Sequence, residues 1–525
     1  MSTLLWDRYR KHLCVCRDIE LALDISRMKF SDDFFDVMND KISKALADMQ
    51  SLESGTIANP DENRMVGHYW LRAPKLAPTP ELQTAITETL NSIKAFASDV
   101  HQGKILAPNG QKYTDLLVIG IGGSALGPQW IASALSSPAD KMRVHFLDNT
   151  DPEGISDTLE KLAKNHVLET TLVVVISKSG STPETRNGMI SADLFLQSHG
   201  LKLANRAVAI TGSGSKLDKI AHEEGWVKTF PMWDWVGGRT SELSAVGLLP
   251  AALQGINIDD MLAGAAACDI HTRSKKITEN PAALMALMWF AATDGKGKKD
   301  LVILPYKDKL LLFSRYLQQL IMESLGKALD LDGTAVHQGL TVYGNKGSTD
   351  QHAYVQQLRD GIDNFFITFV DVLEYGAAAI EVDKDITPGD YLHGFLQGTR
   401  RALTESGRQS MTITVGRVDA KTIGALIALF ERTVGLYASM IHINAYHQPG
   451  VEAGKKAASN VLALQNKCLE LLSDHKPRTI DEIAAALKLE DEIEMIASIM
   501  TYLQANHRIQ SDVADYYDFS RKFHL

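Results

Sequence analysis

The sequence predicts an α/β fold built on two doubly wound, mostly parallel sheets, and three observations predict it. Short runs of β-branched and apolar residues recur from Asp115 onward, a helix-length segment separates each run from the next, and the series occurs twice. Strands buried on both faces read as continuous apolar runs. Their alternation with helices implies parallel sheets that bind ligands outside the carboxyl ends of the strands.

Residues 1 to about 100 read as a helical N-terminal segment with a scaffold role. Apolar spacing runs through Phe34, Phe35, Val37, Met38 and Ile42 and again from Leu82 to Phe96, punctuated by Pro60, Pro74, Pro78 and Pro80. A first α/β domain at 101–265 rests on Leu116-Leu-Val-Ile-Gly120, Val144-His-Phe-Leu147, Leu172-Val-Val-Val-Ile176 and Ala207-Val-Ala-Ile210. A second at 266–449 rests on Leu301-Val-Ile-Leu304, Leu340-Thr-Val-Tyr343, Phe365-Phe-Ile-Thr-Phe369 and Met411-Thr-Ile-Thr-Val415, with a helix expected over 309–329. Two such domains in tandem would leave a cleft between them, a favoured place for a ligand. Residues 450–525 form a C-terminal helical extension whose last part reads helix, turn, helix and strand, like a small winged helix. From Lys476 to Gln510 four Lys/Arg stand against six Asp/Glu. That balance suits packing or an interface rather than contact with DNA phosphates.

At 525 residues the chain exceeds what one core holds, and 45% hydrophobic with 22% charged residues is ordinary globular composition. A net charge of −10 argues against a nucleic-acid partner. Cys14, Cys16, Cys268 and Cys468 are too scattered for a disulfide framework or a metal site. Reduced thiols, a cytoplasmic location and no membrane partner are expected; the apolar stretch at 281–292 falls short of the ~20 residues a membrane helix needs.

Six stretches carry chemistry. Ser177-Lys178-Ser179-Gly180-Ser181-Thr182-Pro183 follows a strand and opens a helix, with Thr182 as cap and Pro183 as first helical residue. Hydroxyls, one glycine and a helix N-terminus in one small volume suit a dianionic phosphate. Gly120-Ile-Gly122-Gly123-Ser124-Ala125 satisfies a dinucleotide pattern, with Asp148 where a ribose-binding acid would stand. Gly123 and Ser124 equally suit a sugar, so a nicotinamide dehydrogenase and a sugar-phosphate protein both remain open on this loop. Gly237-Gly238-Arg239 sets one guanidinium on permissive backbone, where it could meet an anionic oxygen or point into solvent. On the 309–329 helix, Gln319 and Glu323 are an i, i+4 pair on a stripe with Tyr316 and Lys327. That stripe reads as a wet face with an exposed Glu323–Lys327 ion pair, or as a catalytic edge. His352 stands in the first turn of another helix, where the dipole favours neutral imidazole. The turn His447-Gln448-Pro449-Gly450 leads into a helix bearing Glu452 and Lys455.

Taken in order from about residue 119 to 455, these stretches resemble the glucose-6-phosphate isomerase (phosphoglucose isomerase) family. Gly238-Arg239 and Gln448-Pro-Gly-Val-Glu-Ala-Gly-Lys455 are its most specific parts here. The resemblance implies two flavodoxin-like sugar-isomerase domains, a homodimer, and neither metal nor cofactor. It implies Glu323 as the base between C1 and C2 of an open-chain sugar phosphate, and Arg239 as the cation facing the enediolate. His352, reaching in from the partner subunit, and Lys455 would serve ring opening. Ser177, Lys178 through its backbone N–H, Ser179 and Thr182 would hold phosphate. Gly123, Ser124, Gln319 and Gln448 would line the sugar. Gly180 and Pro183 stand where the family often has an aromatic and a glutamine, and Thr240 where it often has an aromatic. Activity on mannose 6-phosphate is therefore an open alternative, as is a non-catalytic sugar-phosphate sensor.

Overall fold

A computed structural model describes residues 2–378 and 380–525, apart from the side chains of 2–4, 451–453, 455 and 456. The first sheet has five parallel strands in the spatial order Arg143–Leu147, Asp115–Ile119, Thr171–Ser177, Ala207–Thr211 and Lys228–Pro231. The order doubles back at Asp115–Ile119, so the loops after that strand and after Thr171–Ser177 leave on adjacent positions at the same edge. Such a switch point opens a crevice at the carboxyl ends.

The second sheet has six strands in the order Leu13–Cys16, Leu21–Arg27, Ser410–Val415, Phe365–Val372, Asp300–Pro305 and Val342–Tyr343. The last four are parallel and fall on the runs read as strands. The first two form an antiparallel hairpin that adds to Ser410–Val415. This corrects the helical reading of residues 1–100 at Leu13–Arg27, whereas the apolar spacings read as helical fall on the helices Phe34–Val37, Asn39–Glu53 and Pro80–Gln102. Leu21, Leu23 and Ile25 alternate into the core over too short a span to outweigh the helical spacing that follows.

Alternation sorts each strand's side chains. Leu116 and Val118 of the first sheet, and Leu301 and Ile303 of the second, share one large core. Leu117 and Ile119 face a separate layer under the outer helices of the first sheet, whereas Val302 and Leu304 face another under Pro388–Glu405. Residues 1–447 form one compact unit, with both sheets sharing an inner core. Two helices of that core, Ile258–Thr272 and Ala420–Met440, touch backbone to backbone. A Cβ on Gly264 would lie 1.9 Å from the Lys421 carbonyl oxygen, and one on Gly424 1.9 Å from that of Met261. Ala420–Met440 is long and apolar enough to cross a membrane, but 94% of that window is buried inside the fold.

Charges are buried with it. Arg72 donates to Asp269 at 2.7 Å and pairs with Glu431, Arg432 pairs with Glu53 at 2.7 Å, and Arg273 pairs with Glu53 at 2.8 Å. Arg72 and Arg432 hold the Asp269 carboxyl far below the usual carboxylate range against the opposing effect of burial. Glu431 is pushed up to about 7 by burial, which Arg72 offsets only in part.

The second compact unit, residues 448–525, contains the helix Pro449–Leu472, the helices Ile480–Leu487 and Ile493–Ala505, and a short hairpin of Gln510–Ser511 with Phe523–His524. Thr479 and Glu482 form a reciprocal cap on the second of these helices. Leu464, Leu472, Ile483, Ile496, Met500 and Phe523 make its own small core. The helix, turn, helix and strand order matches the sequence reading.

Asp269→Asn removes the shared anion and leaves Arg72 and Arg432 under-compensated in the core. We expect a loss of about 3–5 kcal/mol, read as a lowered urea midpoint; an unchanged midpoint would contradict the account.

Candidate active site

The first glycine loop leaves the strand Asp115–Ile119 and turns through a short 3-10 segment, Gly122–Ser124. Gly122 has φ +59°, a left-handed conformation that favours glycine. A Cβ on Gly123 would lie 2.0 Å from the carbonyl oxygen of Gly238, and one on Gly122 would lie 3.2 Å from Nε2 of Gln319. The loop thus sits directly on the arginine turn and beside the segment carrying Gln319. Ser124 is buried behind this contact.

Arg239 lies in the turn Gly238–Thr240, with its side chain 3% exposed. Nη1 donates to the carbonyl of Ala445 at 2.8 Å and Nη2 to that of His447 at 3.3 Å; Nη2 also stands 3.2 Å from Oε1 of Glu323. The solvated-turn reading of this arginine is excluded. A fixed guanidinium against a partly exposed carboxylate can stabilise oxygen charge that develops beside it.

The expected helix over 309–329 is corrected. The chain is α-helical over Phe313–Leu317 and widens into a π-helical turn over Gln318–Glu323; the strand Lys327–Leu329 begins after it. Side-chain anchors to a neighbouring segment account for the departure. Ser314 Oγ donates to the carbonyl of Gly344, and Gln318 Nε2 to that of Val342 at 3.2 Å. Single π turns recur at functional sites because they re-aim a side chain. Here the turn brings Gln319 to the first glycine loop and Glu323 to Arg239. Tyr316, read with the wet face, is buried and stacked on Trp130 at 4.8 Å between ring centroids.

The exposed Glu323–Lys327 ion pair is also corrected. Lys327 is buried, and its Nζ donates to the backbone carbonyl of Glu323 at 2.7 Å, while the carboxylate turns to Arg239. Burial, with Arg239 adding, pushes the Lys327 pKa down to about 8 against the opposing pull of Glu323 and Asp61. Sequence spacing placed this lysine near Glu323 but could not reveal that the helix stops before it.

The hydroxyl-rich loop follows the strand Thr171–Ser177, and its helix runs Pro183–Ser198 with Thr182 as N-cap. No side-chain cap bond forms; Thr182 Oγ1 instead accepts from Ser177 Oγ at 3.4 Å. Gly180 N donates to Ser177 Oγ at 3.1 Å, and Ser181 N to Ser179 Oγ at 3.2 Å. The hydroxyls of Ser177, Ser179 and Thr182 therefore gather at the start of a helix. The Lys178 ammonium does not turn toward them. It donates to the carbonyls of Asp234 and Val236 at 3.0 and 3.1 Å, which ties this loop to the residues just before Gly237, and burial lowers its pKa. Gly180 has φ +65°, and a Cβ there would lie 2.2 Å from the backbone nitrogen of Leu217. An aromatic at 180 has no place in this arrangement.

His352 is exposed at the end of the 3-10 turn Thr349–His352, and among the described residues no hydrogen bond or ion pair joins it to Glu323. Gln448 is the N-cap of the helix Pro449–Leu472 in the second unit. The side chain of Lys455, on that helix, lies outside the described residues. Asp148, the acid a dinucleotide would need, accepts from Gln129 Nε2 at 2.8 Å and faces Arg315 at 3.7 Å. The close backbone approach that the glycines of the first loop permit is to Gly238. Both facts count against the dehydrogenase reading.

A family model described as phosphoglucose isomerase matches residues 24–392 and 362–481. The chain belongs to the phosphoglucose isomerase family. It is 58% identical over 516 residues to a protein of Geobacter sp. (strain M21) named glucose-6-phosphate isomerase, covering 97% of each chain. It is 60% identical over 506 residues to a protein of the same name from Synechococcus elongatus, covering 96% of this chain and 95% of the relative. Among solved structures, a glucose-6-phosphate isomerase from Chlamydia trachomatis shares the fold at a TM-score of 0.78 and 24% identity, over 89% of this chain and 92% of that one. A hypothetical protein from Thermus thermophilus aligns at a TM-score of 0.66 and 27% identity, over 83% and 100%.

Gly123→Ala drives a methyl group into the Gly238 carbonyl and must part the two loops. A displacement near 1 Å at such a site costs about 100-fold in rate. We expect a loss of that order in turnover together with a lowered melting temperature, since overpacking against backbone costs about 1–3 kcal/mol; full activity would show that the contact is dispensable.

Proposed function

We propose that the chain interconverts glucose 6-phosphate and fructose 6-phosphate by ring opening and proton transfer through a cis-enediolate. The observation that carries the proposal is the Arg239–Glu323 pair at 3.2 Å, beside Gln319 and the first glycine loop. The names of the Geobacter and Synechococcus relatives support the substrate.

In this reading Glu323 takes the proton from the carbon next to the carbonyl and returns it to the neighbouring carbon. A carboxylate is a weak base for carbon, so the step needs the carbonyl oxygen to meet positive charge as the proton leaves; Arg239, already fixed by the Ala445 and His447 carbonyls, supplies it. Ser177, Ser179, Thr182 and the backbone N–H groups of their loop, including that of Lys178, bind the phosphate at the helix start. Gly123, Ser124, Gln319 and Gln448 line the sugar. His352 of a second copy and Lys455 act as acid and base in opening the ring, and the working form is a cytoplasmic homodimer. No metal or organic cofactor takes part in this scheme.

The test is a coupled assay from fructose 6-phosphate to glucose 6-phosphate, with and without chelator. We expect turnover that chelator leaves unchanged and that Glu323→Gln lowers by about 10²–10⁴-fold while binding of a sugar-phosphate inhibitor persists. A fully active Glu323→Gln protein refutes the base assignment. Thr240 and the glycine demanded at position 180 by Leu217 favour a second reading, activity on mannose 6-phosphate as well; the same assay run on that sugar accepts or rejects it.

A contribution of His352 across subunits has its own signature. In a heterodimer of Glu323→Gln and His352→Ala chains, one of the two sites is intact. Subunit exchange between two nearly inactive homodimers should therefore restore about one quarter of wild-type specific activity. No recovery after verified exchange would place His352 outside the partner's site.

A further inference from the structure

Lys327 begins the strand Lys327–Leu329 and folds its side chain back toward the π turn it has just left. The groups around it come from several elements. Glu323 is on its own turn, Arg239 comes from Gly238–Thr240, Asp61 from the turn Pro60–Glu62, and His447 from the segment whose carbonyl holds Arg239. Opposite it in the antiparallel pair stands Gln338, which carries no charge. A buried ammonium donating to the backbone carbonyl of a residue, beside the guanidinium that pairs with that residue's carboxylate, is a costly arrangement unless the anion persists.

We propose that Lys327 is a positioning residue for the isomerisation: its ammonium holds the Glu323 carbonyl, and with Arg239 it keeps the positive field in which the carboxylate hands its charge to the substrate. The inference rests on the isomerase reading and adds a residue to it. As the C–H bond breaks, its proton goes to Glu323 and its electron pair becomes the C=C bond of the enediolate. The carbonyl π pair moves onto oxygen. One negative charge thus leaves the Glu323 carboxylate and appears on the substrate, so the net charge facing the two cations is unchanged. Without Lys327 the field weakens and the π turn loses its charged donor.

The downward shift of Lys327 toward 8 supports a visible consequence. The ammonium is present below that pH and is lost above it, so the activity it supports falls on the alkaline side. Arginine at the same place stays charged throughout.

The experiment measures kcat/KM for fructose 6-phosphate from pH 6 to 10 in wild type, Lys327→Arg and Lys327→Met. It also measures binding of a sugar-acid phosphate whose carboxylate mimics the enediolate oxygens. We expect an alkaline limb near pH 8 in wild type that moves up by more than about one unit in Lys327→Arg. Lys327→Met should lose about 10–100-fold in kcat with KM little changed, and should bind the anionic mimic more weakly. An alkaline limb unmoved in Lys327→Arg overturns the proposal. If neither variant folds, wild type decides: affinity for the mimic must weaken above pH 8, and a flat profile from pH 7 to 9 overturns the proposal. Wild type without isomerase turnover would instead sink the underlying reading.

Discussion

Much of the molecule depends on the contact of Gly123 with Gly238. It presses the turn at the end of one strand against the turn that carries Arg239, with no side chain between them. From this fixed turn the guanidinium reaches the carbonyls of Ala445 and His447 and the carboxylate of Glu323. Lys178 reinforces this from the other side by gripping the carbonyls that precede Gly237. The Lys178 side chain thereby serves as a brace, and its ammonium is turned away from the hydroxyls of Ser177, Ser179 and Thr182.

Behind these loops the core is unusual in its charge. Arg72, Asp269, Glu431, Arg432, Glu53 and Arg273 bind four chain segments together where an apolar cluster would be simpler. Buried ion pairs of this kind rarely add stability over well-packed apolar groups, but breaking one is expensive. The helices Ile258–Thr272 and Ala420–Met440 meet there, already locked by glycine contacts. Relative sliding of those helices would unpair charges as well as strain backbone. Segments from both ends of the unit are thus held in a single arrangement behind the arginine turn.

How much of this was legible follows from what each feature depends on. The eight runs read as strands all appear as strands, and those inside the sheets, such as Asp115–Ile119 and Thr171–Ser177, are buried along their whole length, so their own apolar residues announce them. The hairpin Leu13–Arg27 was not legible: its sheet partner lies almost 400 residues away in Ser410–Val415, and no local pattern announces such a pairing. Glu323 and Gln319 were legible as a pair because i and i+4 stay adjacent even where winding changes. The burial of Lys327 was not, since it depends on where the helix ends and on Arg239 and Asp61 arriving from elsewhere. The hydroxyl loop was read correctly as a helix start, but the fate of the Lys178 ammonium was set by the distant carbonyls of Asp234 and Val236.

The π turn at Gln318–Glu323 has a consequence for how this segment can vary. A π turn is an α-helical turn that has taken in one extra residue, and each residue of an α-helix accounts for about 100° of rotation. Because the widened turn absorbs the extra residue, deleting one residue between 318 and 322 would rewind it to α-helical geometry and leave the residues on either side close to their present places. What would be lost is the widened backbone that presents Gln319 and Glu323 on one edge. A deletion in the α-helical part, Phe313–Leu317, has no such turn to absorb it and would rotate one flank against the other by that angle.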